Sequence, residues 1–210
     1  MTRKPKQAKT KGKSDWAKQV QWDMEYAKRQ ILADGSLDPI FIIHSADKSL
    51  AVASRVDPES KRDFYTLMRA LCIANDATAL SCIAEAWLRE VPQVPGEEQS
   101  MARATDLLPS EAEDRKEVLI SQTTYRDDAG RHSAVRSAEI ERDWNGKITG
   151  FKDFPHQNVG IDEDEGLVFN ILPERLAPPE GRELARKTLP MLAAALGLGL
   201  EMMDLEGGSA

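Results

Sequence analysis

Chemistry near neutral pH needs histidine or a perturbed carboxylate, and this 210-residue chain has three histidines, His44, His132 and His156. His44 closes the apolar run Ile40-Phe41-Ile42-Ile43 directly before a turn, where a strand delivers a side chain to a site. Glu85 stands in Ser81-Cys82-Ile83-Ala84-Glu85-Ala86-Trp87, and read as a strand it shares a face with Ile83 and Trp87. A carboxylate kept from water beside an indole is one way to build a general acid or base. An ion pair to Arg115 or Arg136 is the plainer reading of the same residue. The enzyme reading therefore gathers His44, Glu85 and Arg115 around one pocket. Glu85 is its base, His44 the partner or ligand, and Arg115 the anchor for an anionic substrate in hydrolase-like acid/base chemistry on a small molecule.

The motifs that would strengthen that reading are missing. The chain has no phosphate-cradling Walker loop, no dinucleotide glycine fingerprint, no His-Glu-x-x-His and no Gly-x-Ser-x-Gly. No residue is assigned a catalytic role. Cys72 and Cys82 have no second Cys or His at ligand spacing and read as core residues. His132 and His156 lie beside turn residues, where exposure accounts for them. In Asp162-Glu163-Asp164-Glu165-Gly166 the glycine falls one place early for a calcium loop, which leaves a solvated acidic turn. Neither a metal nor a cofactor is expected.

Binding is the other class of function. Trp22 and Tyr26 project from a helix with Lys18 and Arg29 beside them, an arrangement suited to anchoring a protein interface or stacking on exposed bases. Arg3, Lys4, Lys6, Lys9, Lys11 and Lys13 make a basic arm that feeds into this helix. Against that arm, 28 basic and 35 acidic residues give the whole chain a net charge of −7. An acidic body is repelled by phosphate backbones and anionic lipid, so nucleic-acid contact is confined to residues 1–13, and a protein partner or self-association is the leading reading. A solvated tail is the bland account of the arm. No apolar stretch follows it as in a secretory signal, and the Leu189–Leu200 run is too short to span a bilayer, so the protein is expected in the cytoplasm, away from membranes.

The elements that would position these residues follow from periodicity. Trp16, Val20, Met24, Ala27 and Ile31 predict a helix over 15–33, capped by Ser14 and closed by Gly35. Ile40–Ser45 and Leu50–Ser54 read as a hairpin, and Asp57-Pro58 opens a helix whose dry face is Phe64, Leu67, Met68, Leu71 and Cys72. Thr78–Leu88 fits strand or helix and is taken as strand, because the later strands need a partner. A proline-broken loop over 91–115, with a short helix possible at 99–108, precedes a meander of strands at 117–125, 133–144 and 147–151. Asn145-Gly146 suits a type I′ turn between the last two. A short strand at 167–172 and a helix over 180–203, apolar on every side, end the chain.

These elements predict an α+β fold. An antiparallel sheet of about five or six strands, hairpin plus meander, is packed by helices and preceded by a flexible basic arm. The expected division is an arm at 1–14, an α+β domain at 15–176, and a C-terminal helix with a flexible tail at 177–210. With 41% apolar and 30% charged residues the composition is that of an ordinary globular protein. The function these observations favour is a non-catalytic interaction or assembly module that self-associates.

Overall fold

The computed structural model describes residues 13–53, 61–88, 113, 115–128, 130–154, 170–195 and 203–205. In chain order these form α1 (Lys13–Asp34), β1 (Ile40–His44), β2 (Ser49–Ala53), α2 (Lys61–Ala74), β3 (Ala79–Leu88), β4 (Lys116–Asp127), β5 (Gly130–Arg142), β6 (Ile148–Asp153), α3 (Pro179–Ala195) and β7 (Met203–Leu205). All the strands join one antiparallel sheet in the order β6-β5-β4-β3-β1-β2-β7. The fold is α+β, as the grouping of strands predicts. The segment that fits either helix or strand becomes β3, the middle of the sheet, with β1 on one side and β4 on the other.

The sheet is the central layer of three. Alternation along β1, β2 and β3 sends one set of side chains to α1 and the other to α2 and α3, while β4, β5 and β6 add to the α1 side. On the α1 side, Met24, Ala27 and Ile31 pack on Ile40, Ile42, Ala51, Ile83, Leu119, Ile140 and Ile148. On the other, Phe64, Leu67, Met68, Leu71 and Cys72 of α2 meet Phe41, Ile43, Leu50, Val52, Leu80 and Cys82. Ile171, Leu172 and Ala193 close that cluster, so α3 shares the core of the unit it follows. Coverage on both faces is why β1 reads as an unbroken apolar run. Both cysteines lie in this cluster with their thiols pushed up to about 12 by burial, as core residues should.

Local chemistry fixes the element ends. Gly35 takes φ +79° and its N–H reaches Ile31 O at 2.8 Å, which ends α1 as expected. α2 ends in a Schellman turn: Ala77 N–H donates to Cys72 O at 2.9 Å and Asp76 N–H to Ile73 O at 3.3 Å. The left-handed residue of that turn is Asp76, at φ +52°, where glycine is usual. Its carboxylate accepts from Arg182 of α3, while Arg186 Nε donates to Ala74 O at 3.1 Å. Two α3 arginines thus serve the negative end of α2, which explains a non-glycine residue at a strained position.

Several expectations are corrected. α1 begins at Lys13, so Ser14 lies inside the helix instead of capping it. The β5–β6 turn is not type I′. Gly146 alone has positive φ there, at +81°, and Gly146 N–H donates to Asp143 O at 2.9 Å, while Asp143 Oδ1 accepts from Asn145 and Lys147 N–H groups. Asp143 therefore organises a type I turn closed by a left-handed glycine, with a register shift at Glu141/Arg142. Residues 170–172 form a turn instead of a strand, held by Arg131 Nη1 on Leu172 O at 3.0 Å. The last helix is described to Ala195, and Met203 belongs to β7, which pairs with β2. That helix is not buried all round: Ala185 and Ala193 face inward, while Leu184 and Met191 face out. The arm at 1–12, the Asp57-Pro58 helix start, most of the 91–115 loop, the acidic turn at 162–166 and His156 lie outside the described residues.

Candidate functional site

The dry stripe of α1 carries two polar residues, Gln19 and Asp23, both buried against the sheet. Asp23 is fully buried and accepts three hydrogen bonds: from Ser81 Oγ at 2.6 Å, His44 Nε2 at 2.9 Å and Gln19 Nε2 at 3.1 Å. His44 Nδ1 lies 2.8 Å from Ser49 Oγ, and Ser81 Oγ lies 2.8 Å from Thr123 Oγ1. One polar chain therefore ties α1 to β1, β2, β3 and β4. The strand registers put it there, since His44 pairs with both Ser49 and Ala79, and Ser81 with Thr123.

The donors settle the proton positions. Asp23 as a carboxylate only accepts, so Nε2 carries a proton and Ser81 donates its hydroxyl proton. Ser81 is then left to accept from Thr123. With neutral His44, Nδ1 accepts the Ser49 hydroxyl proton, and with a charged ring Nδ1 donates to Ser49 instead. The site is dry on its upper side. Trp16 presents its indole to His44 at 6.3 Å and 63°, and stacks on Tyr125 at 5.6 Å. A carboxylate and an imidazole in such surroundings are held by each other and by hydroxyls, the condition for burying either one.

His44, Glu85 and Arg115 are not brought together. His44 pairs with Ala79 at one end of β3, and Glu85 lies six residues further along, about 20 Å away at the rise of a strand. Glu85 Oε1 accepts the Leu37 N–H, fixing the link from α1 into β1. Arg115 precedes β4 at that far end and covers the Trp87 ring at 4.7 Å. His132 pairs with Asp127 at 2.9 Å across the β4–β5 turn. A cleft of about 360 Å³ does open beside the β1–β2 turn, bounded by Ser45, Asp47, Lys48, Asn75, Asp76 and Arg186, but His44 is buried and does not line it.

The comparisons with known proteins add no constraint. Among family models, curated proteins and solved structures, none matches this chain. Among the described residues no helix is long and apolar enough to cross a membrane, and no group of His, Cys, Asp and Glu could hold a metal ion.

Of the interaction residues, Trp22 and Tyr26 stack at 5.9 Å and 13° on α1. Tyr26 also packs against the Met24–Ile31 cluster, and burial raises its phenol pKa. Lys18 and Arg29 are exposed beside them. Two surface features escape periodicity. Leu184 is 63% and Met191 72% exposed two turns apart on the outer face of α3, and Trp144 at the β5–β6 tip is 92% exposed. The Asp23 network escaped as well, although a signal existed: at 100° per residue Asp23 falls about 20° from Trp16 at the edge of the dry stripe.

Proposed function

We propose that this protein is a non-catalytic interaction and assembly module that meets another polypeptide through the outer face of α3. One observation supports the reading. α3 is cemented to α2 by Leu189, Leu192, Ala193 and two arginine contacts, yet it turns Leu184 and Met191 to solvent. Side chains of this kind yield about 1.5–3 kcal/mol each when removed from water, and a rigid helix offers them with little ordering cost. The half-buried Trp22–Tyr26 pair lies across the sheet on α1 and is a separate surface. The unpaired buried thiols of Cys72 and Cys82 support a reducing, cytoplasmic setting.

A photo-crosslinking residue at position 191 tests it. A polypeptide identified by mass spectrometry should cross-link at 191, be absent at the exposed control position 128, and be lost from the Leu184→Glu variant. Equal cross-linking at both positions would remove the reading.

A second reading has its own support. Asp23, His44 and Ser49 form an acid–imidazole–hydroxyl sequence with spacings of 2.9 and 2.8 Å, and Ser49 is the least buried of the three. In that reading His44 takes the Ser49 proton during hydrolysis of an activated ester. A fluorophosphonate probe should label the wild type and spare Ser49→Ala, and an unlabelled wild type ends this alternative.

A further inference from the structure

We infer that α3 is a hinged lid over α2, opening about residues 175–178 while the sheet, α1, α2 and the turn at 170–174 stay folded. Such opening is independent of the proposed contact at the outer face of α3, which the docked helix makes. The two sides of the hinge are held differently. On the near side, three arginines of the body pin the turn. Arg69 Nη1 donates to Asn170 O at 2.6 Å, Arg131 Nη1 to Leu172 O at 3.0 Å, and Arg126 to Pro173 O. Ile171 and Leu172 are buried in the α2 cluster among those bonds. Arg175, Leu176 and Pro178 then run exposed, in neither helix nor strand, before α3 starts at Pro179.

On the far side, α3 is lightly held. Its buried residues are Ala185 and Ala193, with Leu189 and Leu192 half-buried. By contrast, α1 buries Trp16, Val20, Met24, Ala27 and Ile31, and α2 buries Phe64, Leu67, Met68, Leu71 and Cys72. An alanine methyl removes far less apolar surface from water than a leucine or phenylalanine side chain, so α3 has the weakest apolar hold of the three helices. Pro190 lacks the N–H that would bond Arg186 O, which loosens the helix from within. The polar ties to α2 are Arg182 on Asp76 and Arg186 Nε on Ala74 O at 3.1 Å. Both are partly exposed, and water can replace them. Local opening begins where buried apolar contacts are few and the holding bonds reach solvent. The docked helix is rigid and dominant. The minor, open form bares the side of the α2 cluster that Leu189, Leu192 and Ala193 cover. Beyond α3 the chain rejoins the sheet as β7, so the lid lifts between two tethered ends.

Hydrogen exchange of the full chain, read by NMR as the protection of single amides, tests the hinge. The α3 amides of Lys187, Thr188 and Leu189 should be protected about tenfold less, or lower still, than the slowest amides of β3 and β4. Gly146→Ala strains the β5–β6 turn, in the edge hairpin away from the α2 cluster. It should lower the protection of those strand amides about fivefold and leave the α3 amides unchanged. Arg186→Ala removes a tie of the lid and should lower α3 protection about threefold or more. If the α3 amides are as protected as those of β3 and β4, α3 opens only with the whole fold and the lid is overturned. A response of the α3 amides to Gly146→Ala overturns it as well. So does α3 protection untouched by Arg186→Ala, because exchange would then come from fraying within a docked helix.

Discussion

At the scale of single residues, Asp23 is the most consequential side chain outside the apolar core. It is fully buried, and its three donors come from α1, β1 and β3. Removing one partner of a buried hydrogen-bonded network leaves the other unsatisfied, at a cost of about 1–3 kcal/mol. Asp23→Ala and His44→Ala should each lower the unfolding free energy by about that amount in urea titrations, while the double variant loses clearly less than the sum. Additive losses would show that the two residues act independently. The thiols give a pH prediction. Cys72 and Cys82 have an ordinary value of 9.0 raised to about 12 by burial, so above pH 9 the unfolded chain releases thiol protons that the folded chain keeps. Their contribution to stability is intact below pH 9 and is lost as pH rises towards 12. Urea titrations across pH 8–11 should show this decline, shallower in Cys72→Ser, and a thiol reagent at pH 8 should react with the unfolded protein only. A slope unchanged by the substitution would mean that other groups control alkaline stability.

At the scale of elements, the α2–α3 junction and the β5–β6 hairpin are each held by local side-chain bonds to the backbone. Asp76 accepts left-handed strain in order to receive Arg182. Asp76→Gly should therefore be neutral or destabilising in the wild type, where it loses a partly exposed ion pair worth about 1 kcal/mol or less. In an Arg182→Ala background, where that pair is already gone, the same change should stabilise by up to about 1 kcal/mol through relief of strain. Equal effects in both backgrounds would mean that the pair contributes nothing. Gly146, at φ +81°, is the hairpin position that needs glycine. Gly146→Ala should cost about 1 kcal/mol or more in thermal unfolding, whereas Trp144→Ala should leave stability unchanged. The sequence marked the hairpin at Asn145-Gly146 but misassigned its turn, because Asp143 captures two backbone N–H groups and pulls the chain into a type I turn. Local side-chain bonding of that kind overrides the dipeptide preference.

At the scale of the whole molecule, a sheet with α1 on one face and α2 and α3 on the other leaves Leu184 and Met191 of α3 exposed on the outside of its layer. If α3 meets another polypeptide as proposed, Leu184→Glu should abolish that association while leaving the circular dichroism of the isolated chain unchanged, and an altered spectrum would mean that Leu184 is needed for the fold. Residue patterning alone carried the α+β class and most element types, though it left Thr78–Leu88 open between helix and strand and misread residues 170–172 as strand. It also determined the buried stripes of α1 and α2 and the core role of both cysteines, since period and residue type encode local conformation and burial directly. It determined that His44 ends a buried strand. That His44 meets Asp23 and Ser49 instead of Glu85 and Arg115 came from the packed fold, because strand register sets which distant side chains coincide and periodicity is blind to register. The packed fold also decided which apolar residues of α3 face the core. A helix rich in leucine on every side acquires an inside and an outside only when another element packs against it.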